Sequence, residues 1–202
     1  ISPIEFTGKE RVLAEIKILR AYYYYWALDN WGNIPFTIDF TNQELPEQKN
    51  RQFVYDFIVQ EILDNIDLVQ DLPTPEYYGR VTKGMAYTFL AKMYMNAQEW
   101  VGQNKFAEAV AACDEVTALG AYEIEDDYFA NFKVHNEGSR ENIFVITFHP
   151  QLTDEHFYWS HLTLNSASRA TFNMVGIPWD GFVLQPDFFT KYAEQDLRRN
   201  SW

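Results

Sequence analysis

Apolar residues in the first part of the chain recur at helical spacing. At 100° per residue, Val12, Ile16, Leu19, Tyr22, Tyr23, Trp26 and Asn30 share one face of a helix over about residues 8–30, while Tyr24 and Tyr25 point elsewhere. A helix apolar nearly all round belongs in the interior of a helical protein, because a single buried stripe would leave Tyr24 and Tyr25 without a packing role. Thr7 with Glu10 predicts a capping box at its start, and Gly32 followed by Pro35 predicts its stop. Further helices are predicted over about 47–71, 82–99 and 104–119. Along 47–71, Asp56, Asp64, Asp67 and Asp71 fall together as a solvated face, opposite Val54, Phe57, Ile58, Ile62 and Val69.

The last two helices form a hairpin, with Thr82 and Asn104 as predicted N-caps and Gly120 as its end. Phe106, Ala109, Cys113 and Val116 have the spacing of the second helix of a tetratricopeptide repeat, and Ala91 and Tyr94 suit the first. The turn over 98–103 is longer than the norm of that repeat, and no third copy is visible. The first two helices make a second hairpin of this kind, separated by the long loop 31–46. Short turns imply antiparallel neighbours, so the predicted fold is mostly α, built of antiparallel helix pairs of tetratricopeptide-repeat type.

After Gly120 the pattern changes. Residues 127–132 suit one helical turn, and Asn142–Phe148 reads as a short buried strand or extended segment rich in β-branched and aromatic residues. From His149 to Gln185 there is little helical period. So long an irregular stretch is uncommon in a compact body unless it functions, and it is aromatic-rich. Pro186 then suits the first position of a short helix with Phe189, Tyr192 and Ala193 on one face.

Composition narrows the function. The chain has 202 residues, enough for one domain or part of one. No stretch approaches the roughly 18 to 20 uninterrupted apolar residues of a membrane-spanning helix. A net charge of -13 with no basic run argues against nucleic acid, which is bound through clustered Lys and Arg. The single cysteine, Cys113, allows no internal disulfide and reads as a small buried apolar residue. Aromatics make up 17% of the chain, including 6 Trp and 13 Tyr, more than packing alone usually asks for. Flat apolar faces with polar rims are what a sugar ring needs.

Catalytic and metal chemistry find little support. His149, Asp154, Glu155, His156 and His161 lie close in sequence, but their spacing matches no established zinc arrangement, so they read as surface or hydrogen-bonding groups. A carboxylate pair for glycoside cleavage can always be proposed among 29 acids, which empties that signal. Ser160 and Ser166 sit in no nucleophile elbow, Cys113 has no thiolate setting, and no Gly-rich phosphate loop appears. No cofactor, no bound metal and no enzymatic activity are expected.

Three stretches carry a family resemblance. The first is the Arg20-Ala21-aromatic helix running into Asp29-Asn30-Trp31-Gly32-Asn33-Ile34-Pro35. The second is Arg80-Val81-Thr82-Lys83-Gly84-Met85-Ala86 through Tyr94. The third is Ile177-Pro178-Trp179-Asp180-Gly181-Phe182, leading to Pro186-Asp187-Phe188-Phe189 and Asp196-Leu197-Arg198-Arg199. In this order they resemble the SusD/RagB-type glycan-binding lipoproteins of Bacteroidetes. Members of that family are much longer at both ends, so residues 1–202 are read as a single domain that is part of a larger SusD-like domain, 1–120 being its repeat-like helical core and 121–202 an extended segment with loops and a short helix. The resemblance implies a mostly helical repeat scaffold and non-enzymatic capture of oligosaccharide for a SusC-like TonB-dependent transporter. It also implies an outer-membrane surface location through a lipid anchor that this chain does not carry. A lone lipid chain anchors marginally, so further acyl chains or a membrane partner are implied. The competing readings are a tetratricopeptide-like module binding a peptide or protein, and a hydrolase with an unseen site.

Within the irregular stretch, Phe157-Tyr158-Trp159-Ser160-His161, Asn165 to Arg169 and Trp179-Asp180-Gly181-Phe182 set flat faces beside hydrogen-bonding groups. The candidate glycan-binding residues are Tyr158, Trp159, His161, Asn165, Arg169, Trp179 and Asp180. Trp159, Tyr158 and His161 are the ones expected at the surface; for Trp179, which precedes Asp180-Gly181 in the matched family loop, a pin holding the loop to the helices is the slightly favoured role. Trp31 fits a structured loop at Gly32 better than a binding surface. Because the family's outer helices are missing, Tyr24 and Tyr25 are expected to be left uncovered.

Overall fold

The computed structural model describes residues 4–133, 135–148, 151 and 159–198. Its elements are α1 (Lys9–Trp31), β1 (Ile34–Pro35), β2 (Gln48–Lys49), α2 (Arg51–Leu63), α3 (Lys83–Val101), α4 (Phe106–Ala118), α5 (Trp159–Thr163), α6 (Ser168–Thr171) and α7 (Pro186–Phe189), with short 3-10 turns at Ile66–Leu68, Pro75–Tyr77 and Ala130–Phe132. The mostly α architecture of paired helices holds. The chain divides into two compact units, Ile1–Val145 and Ile146–Trp202.

In the first unit, α1 packs on α2, α2 on α3 and α3 on α4. The buried face of α1 differs from the predicted one. Ala14, Ile18, Ala21, Tyr25 and Leu28 form it, while Ile16, Tyr23 and Trp26 are exposed. Two small residues, Ala14 and Ala21, let neighbouring helices approach closely, and the face settled on them instead of on the larger rings. Tyr24 and Tyr25 are therefore covered, against expectation. Tyr25 meets Phe89 edge-on at 5.5 Å, and Tyr24 packs on Phe36 and Phe57. The Tyr24 hydroxyl accepts from the Thr37 N–H at 3.1 Å and donates to the Thr37 carbonyl, tying down the loop that follows α1. Offset and edge-to-face ring pairs add about 0.5–1.5 kcal/mol each beyond the area they bury.

The helix ends show which local signals held. Gly32 stops α1 with φ 71°, its N–H donating to the Leu28 carbonyl at 2.9 Å. At the other end Gly8, φ 81°, holds the cap position in place of Thr7, and no side chain caps there. The turn is closed by the Lys9 N–H donating to the Phe6 carbonyl. The predicted helix 47–71 begins at Arg51 and ends at Leu63. Residues 48 and 49 pair instead with 35 and 34 in a short antiparallel ladder, and Asn50 caps α2 through the Phe53 N–H at 2.9 Å. Asp56, Asp64, Asp67 and Asp71 face solvent as expected. Thr82 stands at the N-cap of α3, but its hydroxyl meets the Tyr122 hydroxyl at 3.4 Å instead of a backbone N–H.

Two packing expectations fail on α4. Ala109 and Ala112 face α3, which turns Phe106, Val110 and Cys113 outward, so Cys113 is exposed and the predicted repeat face is rotated. Of the two readings of 142–148, the strand is absent and an irregular segment outside any helix or ladder is found. Phe144 rests on the core, while Ile146 and Phe148 are exposed. Two ion pairs brace the helices. Glu15, buried on α1, accepts two hydrogen bonds from Arg80, at 2.8 and 3.0 Å, and Arg20 pairs with Glu61. Arg80 also lies over the Tyr77 ring at 4.5 Å.

Candidate functional site

The second unit is built on backbone hydrogen bonds between α5 and the segment 179–182. The Trp179 N–H donates to the His161 carbonyl at 2.6 Å, the Phe182 N–H to Leu162 at 2.8 Å, and the Asp180 N–H to Leu164 at 3.3 Å. Asp180 reaches this path with φ 54°, a left-handed conformation that Asp and Asn adopt more readily than most side chains. Gly181 allows a close approach beside it, since a Cβ there would stand 3.1 Å from the Leu162 carbonyl, a tight contact.

These bonds place two ring pairs. Trp159 lies 5.8 Å from Phe182 with the rings tilted by 33°, and His161 lies 5.5 Å from Trp179. Trp159 is 55% exposed and Trp179 53% exposed, so each keeps much of its surface open while a neighbouring ring holds it. The expected surface position of Trp159 holds. His161 is half-buried instead of exposed; Gly176 leaves it room, because a Cβ at Gly176 would come within 2.6 Å of its Nε2.

The remaining predicted residues serve the local fold in part. The Asn165 Oδ1 accepts from the Ser168 N–H at 3.0 Å and from its hydroxyl, starting α6. Arg169 donates to the carbonyls of Met174 and Val175 at 3.3 and 3.1 Å, closing the turn after α6. A shallow depression of about 460 Å³ lies along this turn between Ser166 and Met174, with Arg169 and Asn173 on its wall. Trp159, His161, Trp179 and Asp180 are thus brought together by the ladder, while Asn165 and Arg169 brace the adjoining turn. Tyr158, Phe157 and the possible metal-binding residues His149, Asp154, Glu155 and His156 lie outside the described residues. Among the described residues, no three His, Cys, Asp or Glu side chains gather as a metal would require.

Phe182 and Gly176 were not predicted as site residues. Phe182 stands next to Trp179-Asp180-Gly181 in sequence, which is the one signal that could have found it. The room that Gly176 leaves for His161 depends on a turn that no one-dimensional pattern shows.

Comparison with known proteins agrees with the architecture. No family model matches the chain. The starch-binding protein SusD of Bacteroides thetaiotaomicron is 32% identical over 127 residues, which are 63% of this chain and 22% of SusD. Surface glycan-binding protein A from Bacteroides thetaiotaomicron superposes with a TM-score of 0.80 at 24% identity, covering 98% of this chain and 43% of that structure. A SusD superfamily protein from Parabacteroides distasonis gives a TM-score of 0.82 at 20% identity, covering 98% of this chain and 42% of its own. The homologues of this chain are SusD and SusD-like proteins, and its fold is theirs. The chain spans 22% of the length of the starch-binding relative.

Proposed function

We propose that this chain is part of a longer SusD-like protein, residues 1–202 belonging to one larger domain, that captures oligosaccharide at the cell surface without cleaving it. The captured glycan passes to a SusC-like TonB-dependent transporter in the outer membrane. The protein is held there facing outward by a lipid anchor on another part of the polypeptide. The observation that carries this reading is the pair of half-exposed indoles, Trp159 and Trp179, each backed by a ring and fixed by the α5 ladder. An exposed indole already held in place loses little entropy when a sugar stacks on it. The Asp180 carboxylate and the His161 ring stand beside the indoles to read hydroxyls. The names of the relatives as starch-binding and glycan-binding proteins support the same substrate class.

The test is isothermal titration of the full-length protein with a glycan panel, beside chromatography of the mixtures for cleavage products. Trp159→Ala is expected to weaken binding of the best ligand by about 1–3 kcal/mol, the scale of a lost interface aromatic, at an unchanged melting temperature. Trp179→Ala is expected to lower both affinity and melting temperature, because it removes the ring that packs against His161, although the backbone N–H bond survives. Product release would overturn the non-enzymatic reading. Normal binding and normal melting of the Trp159 variant would remove residues 159–182 as the site.

A further inference from the structure

The helical unit carries a second concavity, which the sequence did not indicate. A notch of about 330 Å³ opens between α1, α3 and residues 141–144. Its floor is Tyr22, Met85, Phe89 and Phe144, with Tyr22 edge-on to Phe89 at 5.7 Å and to Phe144 at 6.1 Å. Its rim carries Thr88, Lys92, Glu141 and Asn142. That size lies at the small end of the range of ligand clefts, about 300–1,000 Å³, and suits a ring or two instead of a long chain.

The rim groups are spent on the fold only in part. Among the described residues Thr88 and Asn142 make no side-chain hydrogen bond and Lys92 forms no ion pair, its ammonium resting over the Tyr25 ring at 5.0 Å from the centre with its donors toward a ligand still unused. Glu141 has one carboxylate oxygen engaged by the Glu125 N–H at 3.1 Å and the other open. One ammonium and one carboxylate leave the rim neutral, with donors and acceptors side by side above aromatic faces. An ionic ligand would meet a like charge at either sign, while a sugar ring donates its hydroxyls to Glu141 and accepts from Lys92 and Asn142.

We propose that this notch is a second subsite for a neutral sugar unit, on the helical unit and built from different residues than the indole site. It rests on the glycan-binding reading above. The experiment uses the full-length protein and its Trp159→Ala variant, titrated with neutral glucose hexamers of α-1,4, β-1,4 and β-1,3 linkage and with a hexuronate hexamer. The readout is the Asn142 side-chain amide and Met85 methyl signals. These signals are expected to shift saturably with at least one neutral hexamer in both proteins. Lys92→Met and Asn142→Ala are each expected to raise the dissociation constant read at the notch about tenfold without moving the melting temperature, the loss of one hydrogen bond to a charged or amide group being worth about 1–2 kcal/mol. Neutral hexamers that bind while these signals stay still would overturn the subsite and leave the indole site standing. That result includes a notch covered by another part of the polypeptide. Tighter binding of the hexuronate than of every neutral hexamer at the notch would overturn the neutral assignment. Binding of no hexamer to any form would overturn the glycan reading itself.

Discussion

The two units use their aromatic residues in opposite ways. In residues 4–145 the rings between the helices are taken up by packing, although Tyr23, Trp26 and Trp31 stay exposed: Tyr25 is 4% exposed and meets Phe89 edge-on, and Tyr24 packs on Phe36 and Phe57. In residues 159–198 the rings are displayed. Trp159, Trp179 and Phe182 are each about half exposed, and the backbone bonds of the α5 ladder, instead of buried area, hold them. A ring with every face covered contributes to stability and cannot stack on a ligand; a ring with a face open at the surface contributes less to stability and is free to stack. Substitutions that separate these two currents test the distinction directly.

The largest effect is expected in the helical core. Ile58 on α2 is fully buried, and Ile58→Ala removes buried methyl groups and leaves a cavity between helices that cannot close over it. A loss of about 2–5 kcal/mol in chemical denaturation is expected for such a change. A loss under 1 kcal/mol would mean that the first unit is not packed as a core.

That core was only partly legible in the sequence. The existence of the four long helices, the solvent exposure of Asp56, Asp64, Asp67 and Asp71 and the Gly32 stop follow from periodicity and backbone chemistry, which act locally, although three of those acids lie beyond the end of α2. The buried face of α1 does not. Where a helix is apolar nearly all round, its hydrophobic pattern marks no preferred side, and the choice passes to shape: Ala14, Ala21 and the reach of Tyr25 to Phe89 decide it. Cys113 was misplaced for the same reason, since two alanines on α4 set the close approach to α3. At the candidate site the residue types were visible in 159–182, while the ladder that orients them links α5 to a segment beyond a turn, a pairing that spacing alone does not reveal.

The next effect is at Gly84, where two terms compete. Alanine gains up to about 1 kcal/mol over glycine in a helix interior, and less in the first turn of α3, where Gly84 stands. Here its Cβ would stand 2.1 Å from the Tyr122 hydroxyl, so the ring must leave its place against Thr82. Such overpacking costs about 1–3 kcal/mol, so Gly84→Ala is expected to destabilise by a net of up to about 2 kcal/mol. A stabilised variant would show that residues 121–122 do not bind to α3 in solution.

Tyr55 gives a change of opposite sign. Its ring is buried, and its hydroxyl has no hydrogen-bond partner among the described residues. Burial pushes its pKa up from 10.0 to about 12. The folded state therefore favours the neutral phenol. The stability this contributes is fully present below pH 10 and is lost as pH rises through about 12. Tyr55→Phe keeps the ring and removes the orphaned hydroxyl. It is expected to stabilise at neutral pH by about 1 kcal/mol, and to flatten the fall in stability between pH 10 and 12. Loss of stability at pH 7 in the Phe variant would mean that the hydroxyl is satisfied, by water or by another part of the polypeptide.

The smallest effect on stability is expected in the displayed pair. Phe182 lies 5.8 Å from Trp159 and is itself more than half exposed, so Phe182→Ala removes a backing ring without opening a core cavity. Its N–H to Leu162 is a backbone bond and survives the change. Surface changes of this kind stay within roughly 0.5 kcal/mol, and the melting temperature is expected to move little. Trp159 would then be free to rotate, and a ring that must be ordered on binding loses about 0.5–1.5 kcal/mol of affinity. The variant is therefore expected to bind glycan more weakly at nearly constant stability, read by titration beside a melting curve. A drop of 2 kcal/mol or more in stability would place Phe182 and Trp159 in a core, and the contrast between packed and displayed rings would fail at the residues on which the glycan reading depends.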